Sequence, residues 1–180
     1  MTITIAALTL AAIVAQTAPA NPQAVALNDF SKRLQAYLRL REDLGKKLEP
    51  LSPTASAADL QARQEALAAG LRNARVGAKQ GDLVPVPVQK QIRETVLADF
   101  RRRTPATKKA ALEEVPAGPL PGINKSYPER AALPTVPPLL LASLPELPDN
   151  LQYRFFGRHV VILDGDVEIV VDYVANALPR

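Results

Sequence analysis

Residues 151–174 read LQYRFFGRHVVILDGDVEIVVDYV, and this stretch decides the fold. It divides into three short apolar runs, Leu151–Phe155, Val160–Leu163 and Val167–Val174, separated by Phe156-Gly157-Arg158-His159 and by Asp164-Gly165-Asp166. β-Branched and aromatic residues crowd the runs. A glycine sits in each polar break, where a tight hairpin needs a residue tolerant of positive φ. The pattern predicts a C-terminal antiparallel β-meander. Alternation places Leu151, Tyr153 and Phe155 on one face of the first strand, and Val167, Ile169, Val171 and Tyr173 on one face of the last. Those faces are expected to be buried. Opposite them, Glu168, Val170, Asp172 and Val174 form a mixed face expected to meet solvent or the proline-rich arm. Three strands alone have marginal stability, so the sheet must pack on the rest of the chain.

Upstream of the meander, residues 105–150 hold more than half of the 17 prolines, a density that excludes long helices and central strands. This stretch reads as an arm rather than a solvated tail, because Ile123, Tyr127, Leu133, Val136 and Leu139–Leu141 supply apolar anchors. Pro138 to Leu144 predicts one short helix. Residues 21–104 read as helical. Leu27, Phe30, Leu34, Tyr37, Leu44 and Leu48 recur at three- and four-residue steps over 22–49, with Arg41 breaking the stripe and Asn21-Pro22 as N-cap and N1. A second helix starts at Ser56, which pairs with Asp59 as in a capping box, and runs through Leu60, Leu67, Leu71 and Ala74 toward Gly81. In a third, Val88, Ile92, Val96 and Phe100 fall four apart before Thr104-Pro105 stops it. The fold class is therefore α+β: a helical hairpin or three-helix layer, a proline-rich arm and a small antiparallel meander.

Residues 1–20 carry no charged side chain. Ile3 to Ala15 has the length of a secretory apolar core, and Ala18-Pro19-Ala20 places small residues at −3 and −1 of a cut before Asn21. The run is interrupted by Gln16, Thr17 and Pro19, short of the roughly 20 apolar residues of a membrane span. The sequence thus predicts a signal peptide over 1–20, an exported chain that is periplasmic or secreted, and no membrane span after cleavage. There is no cysteine and no tryptophan. The absence of cysteine excludes disulfides, a lipid anchor on cysteine, a zinc–thiolate site and a cysteine nucleophile. Folding must rest on packing in an alanine-rich, aliphatic core.

Candidate chemistry is sparse. His159 is the single histidine, beside a turn glycine and without a second imidazole or a thiol to share a metal. Asp164, Asp166 and Glu168 alternate as oxygen ligands do, but lack the remainder of a calcium loop and read as turn residues. Arg154, Arg158 and Asp172 form a polar group on the meander that suits either an anionic ligand or a register-fixing cross-strand ion pair. Arg101, Arg102, Arg103, Lys108 and Lys109 make the densest basic run in a chain of net charge +4. They suit an anionic envelope component or an acidic protein; without interleaved aromatic residues beyond Phe100 they do not suit nucleic acid. No nucleophile elbow, metalloprotease motif, phosphate loop or dinucleotide fingerprint occurs, so no cofactor, metal or catalytic residue is expected.

The block Tyr153-Arg154-Phe155-Phe156-Gly157-Arg158, with Asp164, Val170-Val171-Asp172-Tyr173 and Asn176-Ala177-Leu178-Pro179, resembles the terminal signature of a family of uncharacterised exported bacterial proteins. Ala62-Arg63-Gln64, Leu67-Ala68, Gln80-Gly81-Asp82, Tyr127-Pro128-Glu129 and Val136-Pro137-Pro138 extend the likeness upstream. The resemblance implies a signal peptide, a helical N-terminal half and a terminal β-hairpin unit, with no activity or catalytic residue to transfer. This chain departs from that pattern at His159, Gly165 and Ala175. Two functional classes follow. One is a non-catalytic exported protein making protein or cell-envelope contacts; the other is a small ligand-binding or hydrolytic module centred on Arg154, Arg158, His159 and Asp172.

Overall fold

The computed structural model describes residues 21–128 and 136–179. The expected signal peptide, and Glu129 and Leu133 of the arm, lie outside the described residues. The chain is α+β, with a helical layer and a three-stranded antiparallel sheet at its C-terminal end.

The first helix, α1, spans Pro22–Lys46; the Asn21 side chain accepts the Gln23 N–H at 3.0 Å and Pro22 fills the first turn. Its stripe of Ala26, Phe30, Leu34 and Tyr37 is buried. Helix α2, Ala57–Ala74, opens on the Ser56/Asp59 capping box, in which each side chain accepts the other's main-chain N–H. It runs back along α1: the Leu44 side chain lies 3.5 Å from where a Cβ on Gly70 would stand, and the Arg75 guanidinium covers the Tyr37 ring. Helix α3 spans Val86–Arg102 and buries Val88, Ile92, Val96 and Phe100. Thr104-Pro105 ends α3 as its sequence predicts, then starts another helix. The Thr104 side chain accepts the Thr107 N–H and Pro105 occupies the first position of α4, Pro105–Glu113. Prolines at helix starts cost nothing, because the first N–H groups have no partner inside the helix. The single turn α5, Pro138–Leu141, begins on a proline for the same reason.

The meander comprises β1 (Leu151–Phe156), β2 (His159–Asp164) and β3 (Ile169–Val174), in that spatial order. Gly157 supplies the positive φ of the first turn, at 54°. The second turn works differently. It is longer than expected, taking in Val167 and Glu168, so β3 starts at Ile169; the left-handed residue is Glu168, with φ 51°, rather than Gly165. An acidic side chain tolerates that region poorly, which marks the 165–168 turn as held by its surroundings.

A register shift between Ile162 and Leu163 leaves Val171 without an opposing residue: Leu163 pairs with Val170 and Ile162 with Asp172. Such a bulge inverts alternation beyond it. Tyr173, expected beside Ile169 and Val171, is carried to the opposite face with Val161, Leu163 and Val170. Asp172 and Val174, expected on the mixed face, turn toward the helices, where Val174 joins the main core and Asp172 has no exposed surface.

Both faces of the sheet are covered. Tyr153, Phe155, Val160, Ile162, Ile169 and Val171 pack with α1, α3 and α5 in the main core, Phe155 meeting Phe100 edge to face at 6.3 Å. The other face packs under Tyr127 and Leu120 of the arm, with the Tyr127 and Phe156 rings 5.6 Å apart. The arm also closes one edge. The Asn124 and Tyr127 N–H groups donate to the Val170 and Glu168 carbonyls at 2.8 and 2.7 Å, and the Val170 N–H donates to Lys125 at 3.0 Å. Truncating the aromatic that joins sheet to helices, Phe155→Ala, is expected to lower unfolding free energy by about 3–5 kcal/mol. Urea unfolding followed by circular dichroism checks it; a change under about 1 kcal/mol contradicts this packing.

Candidate functional site

The polar side chains buried beneath the sheet are occupied with holding it. The Asp172 carboxylate accepts the main-chain N–H groups of Gly81, Leu83 and Val84 at 3.0, 2.9 and 2.8 Å, and that of Tyr173 at 2.7 Å. Burial pushes its pKa up, and these four donors oppose the rise. Asp164, also without exposed surface, accepts the Tyr37 hydroxyl at 2.7 Å and Arg41 Nε at 3.0 Å. The same guanidinium reaches Asp166, which accepts from Asn150 at 2.9 Å. Burial first, and then the Asp164 charge, drive the Tyr37 pKa well above its ordinary 10.0. Arg75 lies 5.1 Å over the Tyr37 ring and donates to Asn124 Oδ1 at 2.8 Å and to the Val171 carbonyl at 3.2 Å. Every one of these groups has a partner, and the arrangement locks two layers together.

The residues singled out on the meander are not brought together. Asp172 faces the helices, while Arg158 and His159 lie at the β1–β2 turn. The His159 ring stands edge-on to Tyr173 at 5.8 Å, and burial, then Arg158, lower its pKa. No hydrogen bond or ion pair joins Asp172 to Arg154 or Arg158 among the described residues. In the basic run, Arg103 folds back onto Asp99 at 2.7 Å and over the Phe100 ring at 4.9 Å. Arg101, Arg102 and Lys109 are exposed around the α3–α4 junction, with Lys108 half-buried. Among the described residues no group of three His, Cys, Asp or Glu side chains is placed to hold a metal ion.

Arg154 sits elsewhere, on the outer edge of β1, and it lines a cavity. The cavity, about 430 Å³, runs between residues 151–154 of β1 and the segment that follows α5, walled by Val136, Leu141, Leu144 and Leu147. The edge along it is a row of main-chain groups. The Gly165 N–H donates to Asn150 at 3.0 Å, which fixes the parity of the β1–β2 ladder. Gln152, Arg154 and Phe156 therefore bond to β2, and Leu151, Tyr153 and Phe155 turn their N–H and C=O outward. At one end Leu151 N–H is taken by Pro148 at 2.8 Å; in the middle, Arg154 folds over the edge and donates to the Tyr153 carbonyl at 3.0 Å and to Gln152. Its Nε is shielded and has no acceptor among the described residues. No strand among the described residues pairs with this edge.

Arg154 was legible as a polar residue of the meander; the groove beside it was not. Its far wall comes from the arm, and nothing in the spacing of Leu141, Leu144 and Leu147 says that they face a strand edge. Arg41 had a usable signal, as the charged residue inside an apolar stripe. Arg75 had none.

The Tyr37–Asp164 pair predicts a pH signature. A tyrosine whose folded pKa lies above its unfolded value contributes stability that is complete below that value and is lost as pH rises past it. Stability is therefore expected to fall above pH 10, the ordinary tyrosine value, and Tyr37→Phe is expected to flatten that fall. At neutral pH the substitution removes a hydrogen bond to a buried carboxylate, at about 1.5–3 kcal/mol. Urea unfolding across the pH range checks both; an unchanged alkaline slope refutes the assignment. No protein family, curated protein or solved structure matches this chain, so its functional reading rests on its own geometry.

Proposed function

We propose that the chain is a non-catalytic exported protein that works by contacting another protein of the cell envelope. The observation that carries this reading is the groove along the outer edge of β1. It combines apolar walls, in which Leu141 stands 46% exposed, with a strand edge that no strand among the described residues pairs with. An exposed leucine next to such an edge is a liability for a protein with no partner, and a binding surface for one that has one. The buried acids and tyrosine, which a catalytic reading needs free, are engaged in main-chain and side-chain bonds that hold the layers together. Export is supported by the Ile3–Ala15 apolar run and the Ala18/Ala20 pair; none of the described helices is long and apolar enough to cross a membrane.

The ligand-binding alternative centred on the meander keeps Arg154 in the groove, while Arg158, His159 and Asp172 lie outside it. An anionic envelope component is the alternative partner, meeting Arg101, Arg102, Lys108 and Lys109. Position-specific photo-crosslinking in the native envelope separates these. A crosslinker at Leu141 is expected to capture one discrete partner, and Arg154→Gln is expected to reduce that product. Capture only from Arg101 or Lys109 would move the function to the basic surface. Intact mass of the envelope-fraction protein is expected to begin at Asn21; a cytoplasmic species retaining Met1 would refute export.

A further inference from the structure

We infer that the β1 groove binds an extended, carboxylate-bearing peptide segment by strand addition, with an apolar side chain seated between Val136, Leu141, Leu144 and Leu147. This deepens the proposed function and rests on it. The two edges of the sheet are treated differently. Along β3 the arm residues Asn124 to Tyr127 take up the outward main-chain groups, while the outward groups of Tyr153 and Phe155 on β1 have no paired strand among the described residues. The chemistry of such an edge is specific to a peptide, because only an extended backbone offers donors and acceptors at the same spacing. At about 3.3 Å rise per residue, Leu151 to Phe155 spans about 13 Å. With Leu151 N–H held by Pro148 and the Tyr153 carbonyl by Arg154, the Tyr153 N–H and the outward groups of Phe155 are the ones a short extended partner would meet.

The side chains around the edge narrow the occupant further. Arg154 keeps one donor, Nε, shielded from solvent with no acceptor among the described residues, while its other nitrogens hold Tyr153 and Gln152. A half-buried guanidinium on the groove wall is matched by a carboxylate. Glu146, exposed on the same wall, repels a second negative charge and so sets the carboxylate at the Arg154 end. The wall is fixed in place before binding, since the Tyr153 hydroxyl donates to the Pro145 carbonyl at 2.9 Å and Leu151 N–H is tied to Pro148. A preformed groove spares the binding event the cost of ordering it. A second copy of this chain is a poorer occupant, because the Leu141–Leu147 wall stands where a whole sheet must approach.

The test uses the purified full chain and a designed probe, an eight-residue peptide of alternating valine and threonine with a free C-terminal carboxylate. Two relatives accompany it, one amidated at the C-terminus and one N-methylated at alternate residues. Saturable binding by titration calorimetry is expected, with amide shifts by NMR confined to residues 141–155. N-Methylation is expected to abolish it, and amidation or Arg154→Gln to weaken it about tenfold, the worth of one charge-assisted hydrogen bond. Leu141→Asp, at an exposed position that does not threaten folding, is expected to weaken it by a similar factor. Equal binding of the N-methylated peptide, no saturation at millimolar probe, or shifts centred on Arg101–Lys109 overturns strand addition. So does a dimer in sedimentation that Leu141→Asp dissociates, because the groove then holds a second copy. Failure here with a discrete Leu141 crosslink in the envelope leaves partner contact standing and removes only its mode.

Discussion

The arrangement depends on one buried carboxylate, Asp172. It lies at the bulge of the last strand, and it gathers the N–H groups of the loop that leads from α2 into α3. An ionised oxygen pair accepting several N–H donors offsets its own burial and satisfies main-chain groups that otherwise stand orphaned in the core. Removing it leaves those donors unpaired, and the loop that positions α3 loses its anchor to the sheet. The Asp164–Tyr37–Arg41 set does the corresponding work at the far end of β2, between the sheet and α1. Two points of polar attachment, one inside β3 opposite Ile162 and one at the Asp164 end of β2, hold the sheet to the helices beside a core of valine, leucine, isoleucine and aromatic side chains.

This division of labour explains why the polar residues of the meander do not make a catalytic centre. Both fully buried carboxylates face inward and are saturated with donors. Among the described residues, the buried side-chain nitrogens without a partner, those of Arg154, Arg158 and His159, are spread between an edge and a turn. With β3 covered by the arm and both sheet faces packed, the outer edge of β1 is the part of the sheet that no strand among the described residues covers.

Much of the fold was legible because it obeys local rules. The i, i+4 run Val88, Ile92, Val96, Phe100, the Ser56/Asp59 box and the β-branched runs after Asn150 each specify an element on their own. What escaped was non-local. A bulge has no reliable sequence mark, and Val171 looks like any strand valine, so simple alternation puts Asp172 and Tyr173 on each other's faces. Helix α4 hid inside the arm because its proline sits at a helix start, where proline is harmless. Site residues were legible in proportion to how unusual they are locally: Arg41 stood out in its stripe, Arg154 stood out in its strand, and the leucines of the groove wall were indistinguishable from core.

Native-state hydrogen exchange tests the central claim, that buried carboxylates clamp the sheet to the helices while the outer edge of β1 pairs with no strand among the described residues. The Leu83 and Val84 amides, bonded to Asp172, and the Val170 amide, bonded to the arm, are expected to exchange only by global unfolding. The outward amides of Tyr153 and Phe155 are expected to exchange orders of magnitude faster. Fast exchange at Leu83 and Val84, or protection of Tyr153 and Phe155 equal to that of Val170, contradicts it.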